Sequence, residues 1–314
     1  MALSRTGSLP PQPTQQILEL RPRPPFRLDL TAWALRRRAQ NDIDRWDGHT
    51  YQRALVVSGT AYEVSVTQAG SEVRPRLEAV LRGPRVRRGA EAAIRSTLAR
   101  LLGLEVDLSG FYARAAHDRV LAELAGRSRG VKPPRFPTIF ECLLNAVACQ
   151  QLSLEAGLTL LNRLATTTRA PAGTLRSFPE PSHVLRLSRS TLRSLGFSER
   201  KAETIHDLAS AGAAGELELE VFEQLDDAAV VDSLVQRRGI GPWSAEYVLL
   251  RGLGRLHVFP RGDSGALAGL RRFLVGTELE DDPDAALARW APDAGLVYFH
   301  LLLRGLDERA KERG

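Results

Sequence analysis

Residues 231–273 read VDSLVQRRGIGPWSAEYVLLRGLGRLHVFPRGDSGALAGLRRF. The pattern is a short helix, a hairpin Gly239-Ile240-Gly241, a second helix, a Gly/Pro-rich loop, and an aspartate, Asp263, ahead of a third helix. Two glycines around one aliphatic residue permit a turn at positive φ and let the backbone approach another surface with no Cβ in the way. Ile240 is expected to pin the turn to the core. The hairpin N–H groups and the start of the next helix then form an anion site, suited to gripping a DNA phosphate without reading sequence. A Gly-Ile-Gly turn also ends ordinary helices, so its meaning depends on what surrounds it.

Working outward, residues 126–137, GRSRGVKPPRFP, cluster glycine, proline and basic residues and mark the best domain boundary. Beyond it nearly every segment has helical period, and 131–314 reads as all-helical. Thr138 and Glu141 spell a capping box ahead of an apolar run, and Asp282-Pro283 reads as N-cap and first helical residue. Before the boundary, residues 17–130 read as an α+β unit. A helix is expected at 30–44, then β-type runs at 50–57, 61–68 and 73–81, separated by turns at Ser58-Gly59 and Ala69-Gly70-Ser71. Tyr62, Val64 and Val66 alternate as in a sheet with one covered face. Helical patterns at 89–104 and 110–125 close the unit, and residues 1–16 read as a flexible lead-in. The fold class is α+β: an N-terminal antiparallel sheet with helices, then a helical domain.

The chain has 314 residues, 43% apolar and 25% charged, as for an ordinary folded protein. No run is long and apolar enough for a membrane span or a secretory signal. Two cysteines, Cys142 and Cys149, exclude a disulfide framework and a four-cysteine zinc or iron–sulfur site, and a reducing, cytoplasmic setting is expected. His117, His206, His257 and His300 are dispersed without metal-ligand spacing. Net charge is +6, and all but Lys132, Lys201 and Lys311 of the basic residues are arginine. Arginine's planar fork suits phosphate, so the excess is compatible with nucleic acid. Genomic codon bias gives the same composition, and charge alone does not decide the function.

The 231–273 stretch resembles the helix–hairpin–helix, Gly/Pro-rich loop and aspartate of the base-excision DNA glycosylase superfamily, and within it the 3-methyladenine DNA glycosylase II family. The segment FPEPSHVLRLSRSTLRSLGFSERKAETIHDLA (178–209) and the strip FECLLNAVACQQLS (140–153) are similar to that family too, with a weaker likeness over 25–125. The resemblance implies a DNA glycosylase that hydrolyses the N-glycosidic bond of alkylated, mainly purine, bases in duplex DNA and leaves an abasic site. It implies Asp263 as the catalytic carboxylate, stabilising the oxocarbenium-like sugar; an N-cap role would also put an aspartate there. Bifunctional relatives have a lysine where this chain has Trp243, so a monofunctional enzyme without lyase chemistry is expected.

Trp243 and Tyr247 lie four apart on one helix face and are expected to wall the base pocket, electron-rich rings suiting a cationic alkylated purine; a plain core role is the alternative. By resemblance Ser264, Asp293 and Trp33 stand at or beside further pocket positions, Asp293 replacing a tryptophan and Trp33 lying next to Ala34. Gly239, Ile240, Gly241, Ser244, Arg237 and Arg238 are expected at the DNA, though the two arginines also fit an exposed helix end. By resemblance Gln150, Gln151 and Leu152 mark the loop that plugs the gap left by an everted nucleotide; inward packing of the apolar Leu152 is the alternative. No cofactor is required, but a Na+ or K+ ion held by the backbone carbonyls of Val235, Arg237 and Gly239 is implied. The partner is duplex DNA and a monomer is expected. A DNA-binding protein without catalysis, or a glycosylase for a deaminated or oxidised base, remain open alternatives at this point.

Overall fold

A computed structural model of the chain describes residues 14–86, 88–168, 171–172 and 174–312. Five strands form one antiparallel sheet: β1 (Thr14–Leu20), β2 (Arg45–Trp46), β3 (Thr50–Val57), β4 (Thr60–Ala69) and β5 (Arg76–Gly83), in the order β1-β5-β4-β3-β2. The β3–β4 hairpin turns at Ser58 (φ 50°) and Gly59 (φ 72°), two successive positive-φ residues whose twist matches that of the flanking strands. Its register, Tyr51 opposite Val66 and Leu55 opposite Tyr62, sends Tyr51, Tyr62, Val64 and Val66 to one buried face. The helices Leu28–Arg36 and Arg88–Leu101 cover that face through Leu28, Leu35, Ile94 and Leu98.

The structure departs from the sequence reading in five places here. The first is the 110–125 helix, which is split into Ser109–Ala115 and Arg119–Arg127 because Asp118 caps the second by accepting the N–H groups of Val120 and Leu121. Thr14, Gln15 and Gln16, assigned to the flexible lead-in, are strand residues paired with Gly83, Arg82 and Leu81; residues 1–13 of that lead-in lie outside the described residues. The third strand starts at Arg76, not at residue 73, because Ser71–Arg74 form a turn closed by Arg74 N–H to Ser71 O. The first helix ends at Arg36 instead of continuing to residue 44. Arg37 adopts φ 60° as its C-cap, and Asn41 Oδ1 accepts the N–H groups of Ile43 (2.9 Å) and Asp44 (3.1 Å), an Asx turn that competes with helix. The capping box at Thr138 is half formed. Thr138 accepts Glu141 N–H, but the Glu141 carboxylate is taken by Arg53, 2.6 Å to each oxygen.

From Ile139 onward the chain is helical apart from a two-residue ribbon, Pro171–Ala172 with Leu175–Arg176. Helix Ile139–Cys149 is buried along nearly its whole length. The helices Leu154–Thr168 and Glu199–Ala213 and the hairpin segment pack around it. A second core forms around Ala294–Glu312 and includes Phe111, Leu121 and Leu124 from the N-terminal half. The two halves are bolted by buried Arg53, which holds Asp44 at 2.7 Å and Glu141 at 2.6 Å.

Candidate functional site

Asp227–Val235 is followed by a tight turn and then Pro242–Tyr247, which runs on as a π-helical turn, Val248–Leu253. Gly239 has φ 83°, and a Cβ there would lie 2.1 Å from Thr204 Oγ1, so both conformation and space demand glycine. Gly241 does not share that conformation: its φ is −104° and a Cβ would meet nothing within 4 Å. Its bareness therefore serves nothing inside the chain and leaves room for an external surface. Ile240 is 5% exposed and sits in the core, as the sequence suggested. No side chain caps the Pro242–Tyr247 helix, which leaves its first-turn donors open to an anion.

The hairpin forms one lip of a cleft of about 840 Å³. Asp263 lines it, at the N-cap of helix Ser264–Leu274. Oδ1 accepts Ala266 N–H at 2.9 Å, and Oδ2 accepts the Tyr298 hydroxyl at 3.2 Å. The cap role and a cleft-facing carboxylate, separate readings in the sequence, coexist in one side chain. Asp263 is partly exposed. Burial, then the neighbouring Asp263 charge, pushes the Tyr298 phenol far up, keeping it a neutral donor. Trp243 and Tyr247 line the same cleft with ring centroids 5.6 Å apart at 37°. Gly262 lets the loop before Asp263 lie against Trp243, since a Cβ would sit 2.7 Å from Trp243 Cβ.

Not every expected residue reaches this cleft. Asp293 is not among its lining residues. It is buried and held by Arg114 at 2.6 and 2.7 Å, so its carboxylate is neutralised away from the aromatics. Trp33 also falls outside the lining; it packs on the second core beneath the Arg36 guanidinium. Ser264 does line the cleft and is exposed at its rim. Gln150 and Ser244 face inward: the Gln150 amide donates to Gly239 O (2.9 Å) and Ser244 Oγ (3.1 Å), bracing the hairpin. The loop expected to act as the plug is outward, with Gln151 at φ 56° and Leu152 46% exposed. Arg238 is exposed and paired with Glu203, and Arg237 is paired with Glu216. The carbonyls of Arg237 and Gly239 each accept one hydrogen bond, from Ile240 N–H and Gln150, which leaves each a second lone pair.

Four cleft residues carried no local signal. Tyr298 comes from the last helix, Asn145 from helix Ile139–Cys149, and Arg37 from the end of the first helix. Lys201, the only lysine lining the cleft among the described residues, donates to Ala148 O (3.0 Å) and Gln150 O (2.8 Å), pinning the base of the 150–152 loop. Burial lowers its pKa.

This is a helix–hairpin–helix protein with a carboxylate and two aromatic rings at one cleft. Residues 144–290 match the HhH-GPD superfamily of base excision DNA repair proteins, and residues 17–137 match the AlkA N-terminal domain. The chain thus carries an AlkA N-terminal domain followed by an HhH-GPD domain. It is similar to the putative DNA-3-methyladenine glycosylase YfjP of Bacillus subtilis, 32% identical over 169 residues (52% of this chain, 58% of that one). A DNA-3-methyladenine glycosylase of the same organism is 29% identical over 172 residues (54% and 57%). The chain thus spans a little over half the length of these curated relatives. The solved 3-methyladenine DNA-glycosylase of Archaeoglobus fulgidus shares the fold with a TM-score of 0.77 at 23% identity, covering 91% of this chain and 97% of that one.

Proposed function

We propose that the protein is a monofunctional DNA glycosylase of base excision repair, hydrolysing the N-glycosidic bond of damaged, chiefly alkylated purine, bases in duplex DNA. The observation that carries this is the Asp263 carboxylate in the same cleft as Trp243 and Tyr247, with Oδ2 held by Tyr298. A nucleotide swung out of the helix would stack its base on the rings. As the C1′–N bond lengthens, positive charge grows on the sugar, and the fixed carboxylate stabilises it without having to reorganise. The same oxygen orients the incoming water. The hairpin N–H groups at Gly241 and beyond, with Arg238 and Arg237 nearby, would hold phosphate, while Leu152 or Gln151 fills the vacated stack. A monovalent cation on the Val235 carbonyl and on the second lone pairs of the Arg237 and Gly239 carbonyls would add positive charge at that phosphate. Monomeric action on chromosomal DNA in the cytoplasm completes the reading.

Absence of lyase chemistry is supported by Trp243 at the position of the Schiff-base lysine in bifunctional relatives, and by the engagement of the Lys201 ammonium with two carbonyls. The test is base release from methylated duplex DNA by wild type and Asp263→Asn. Wild type is expected to leave alkali-labile abasic sites and an uncut strand, and the variant to bind DNA without releasing base. A fully active, folded Asp263→Asn protein would overturn the proposal.

A further inference from the structure

The cleft contains a buried cation that the reaction proposed above leaves without a role. Arg37 lines it and is 5% exposed. Its Nη1 donates to the Tyr247 hydroxyl (3.3 Å) and its Nη2 to Asn145 Oδ1 (2.6 Å), both neutral acceptors. Among the described residues no carboxylate lies within ion-pair distance of it: nearby Asp44 is taken by Arg53 at 2.7 Å. A second buried guanidinium, Arg251, shares the Phe136 ring with it, at 5.2 Å from the centroid against 5.6 Å for Arg37. Two buried donors on cleft residues, Arg37 Nε and Trp243 Nε1, have no hydrogen-bond partner in the protein. The position is imposed by the backbone, since the left-handed cap at residue 37 turns the chain away from the first helix.

Unpaired buried donors lower their energy by meeting an acceptor, and a fixed guanidinium in a partly desolvated cleft repels a second cation. We infer that this site selects electrically neutral damaged bases that present a lone pair to Arg37, over purines made cationic by alkylation at N3 or N7. The inference rests on the glycosylase reading and specifies its substrate class. It also has a chemical rationale. When the C1′–N bond of a neutral nucleoside breaks, the electron pair stays on the base, the water oxygen bonds to C1′, and one water proton ends on the base nitrogen. A guanidinium hydrogen bond to a ring nitrogen or carbonyl of the base stabilises that electron pair. A cationic base departs already neutral and gains nothing from it.

The test uses full-length protein and otherwise identical duplexes holding hypoxanthine or 1,N6-ethenoadenine (neutral) or 7-methylguanine (cationic). Single-turnover excision rates are divided by the spontaneous loss of each base, and the neutral-to-cationic ratio is taken within each preparation, so that any misfolded fraction cancels. Arg37→Gln should lower the ratio about tenfold, the effect of losing one charge-assisted hydrogen bond, while Arg37→Lys stays within a few-fold of wild type. A ratio unchanged in Arg37→Gln, or a wild type that enhances 7-methylguanine loss most, overturns the inference. Duplex affinities measured alongside keep the two readings apart. If no base is released, the glycosylase reading fails, and the inference stands only if wild type still binds the neutral-base duplexes more tightly and Arg37→Gln does not; equal binding overturns it.

Discussion

The Tyr298 hydroxyl donates to Asp263 Oδ2 at 3.2 Å, while Oδ1 of the same carboxylate accepts the Ala266 N–H at 2.9 Å. One oxygen anchors the group to the helix, and the other is aimed by a phenol that burial keeps neutral. Tyr298→Phe should slow single-turnover base release about tenfold, the value of one oriented hydrogen bond to a charged group, with DNA affinity unchanged in fluorescence anisotropy. Equal rates would assign Tyr298 to packing alone.

The two hairpin glycines should respond differently to one methyl group. Gly239→Ala meets Thr204 at a positive φ and should destabilise the fold by about 2 kcal/mol in urea melts. Gly241→Ala has open space and should change stability by less than about 1 kcal/mol while weakening DNA binding. If Gly241→Ala binds DNA as wild type does, the backbone does not approach its ligand there.

Leu152 is an exposed apolar side chain on a loop pinned by Lys201. Leu152→Ala should leave stability within about 0.5 kcal/mol and slow excision from a fully paired duplex more than from single-stranded DNA carrying the same base. Lys201→Met, which frees the carbonyls of Ala148 and Gln150, should give the same asymmetry. A uniform loss on both substrates would remove Leu152 from the role of plug.

Burial pushes the His300 imidazole down to about 4 from 6.5, with Nδ1 lacking a partner. The unfolded chain therefore binds this proton more readily between those two values. Stability is complete above the unfolded value and is lost as pH falls toward the folded one, by about 3 kcal/mol in all. His300→Gln should flatten the decline in urea-unfolding free energy between pH 7 and pH 4.5. An unchanged slope would assign acid sensitivity to other groups.

What the sequence disclosed and what it hid follow from separation along the chain. Gly239, Ile240, Trp243, Tyr247 and Asp263 fall within 25 residues, and turn chemistry and helical period bring them together whatever the rest does. Strand β1 was missed because its partner is β5, about 60 residues on, and its edge position leaves Ile17 exposed, blurring the alternation. Arg37, Asn145 and Tyr298 meet only after three distant elements pack. Asp293 was misplaced because its neighbour in space, Arg114, stands 179 residues away. Glu141 shows the same limit: its spacing from Thr138 is that of a cap, yet a sheet residue, Arg53, takes the carboxylate.

That Arg53 clamp ties the strands to the helix whose far end carries the 150–152 loop. The sheet cannot be traded between relatives as an inert handle. A chimera exchanging residues 17–137 would also exchange the stretch that contributes Arg37, and preference for one lesion over another would travel with a segment that makes none of the hairpin's contacts. Cooperative melting should follow from the same bolt, with a single calorimetric peak for the whole molecule.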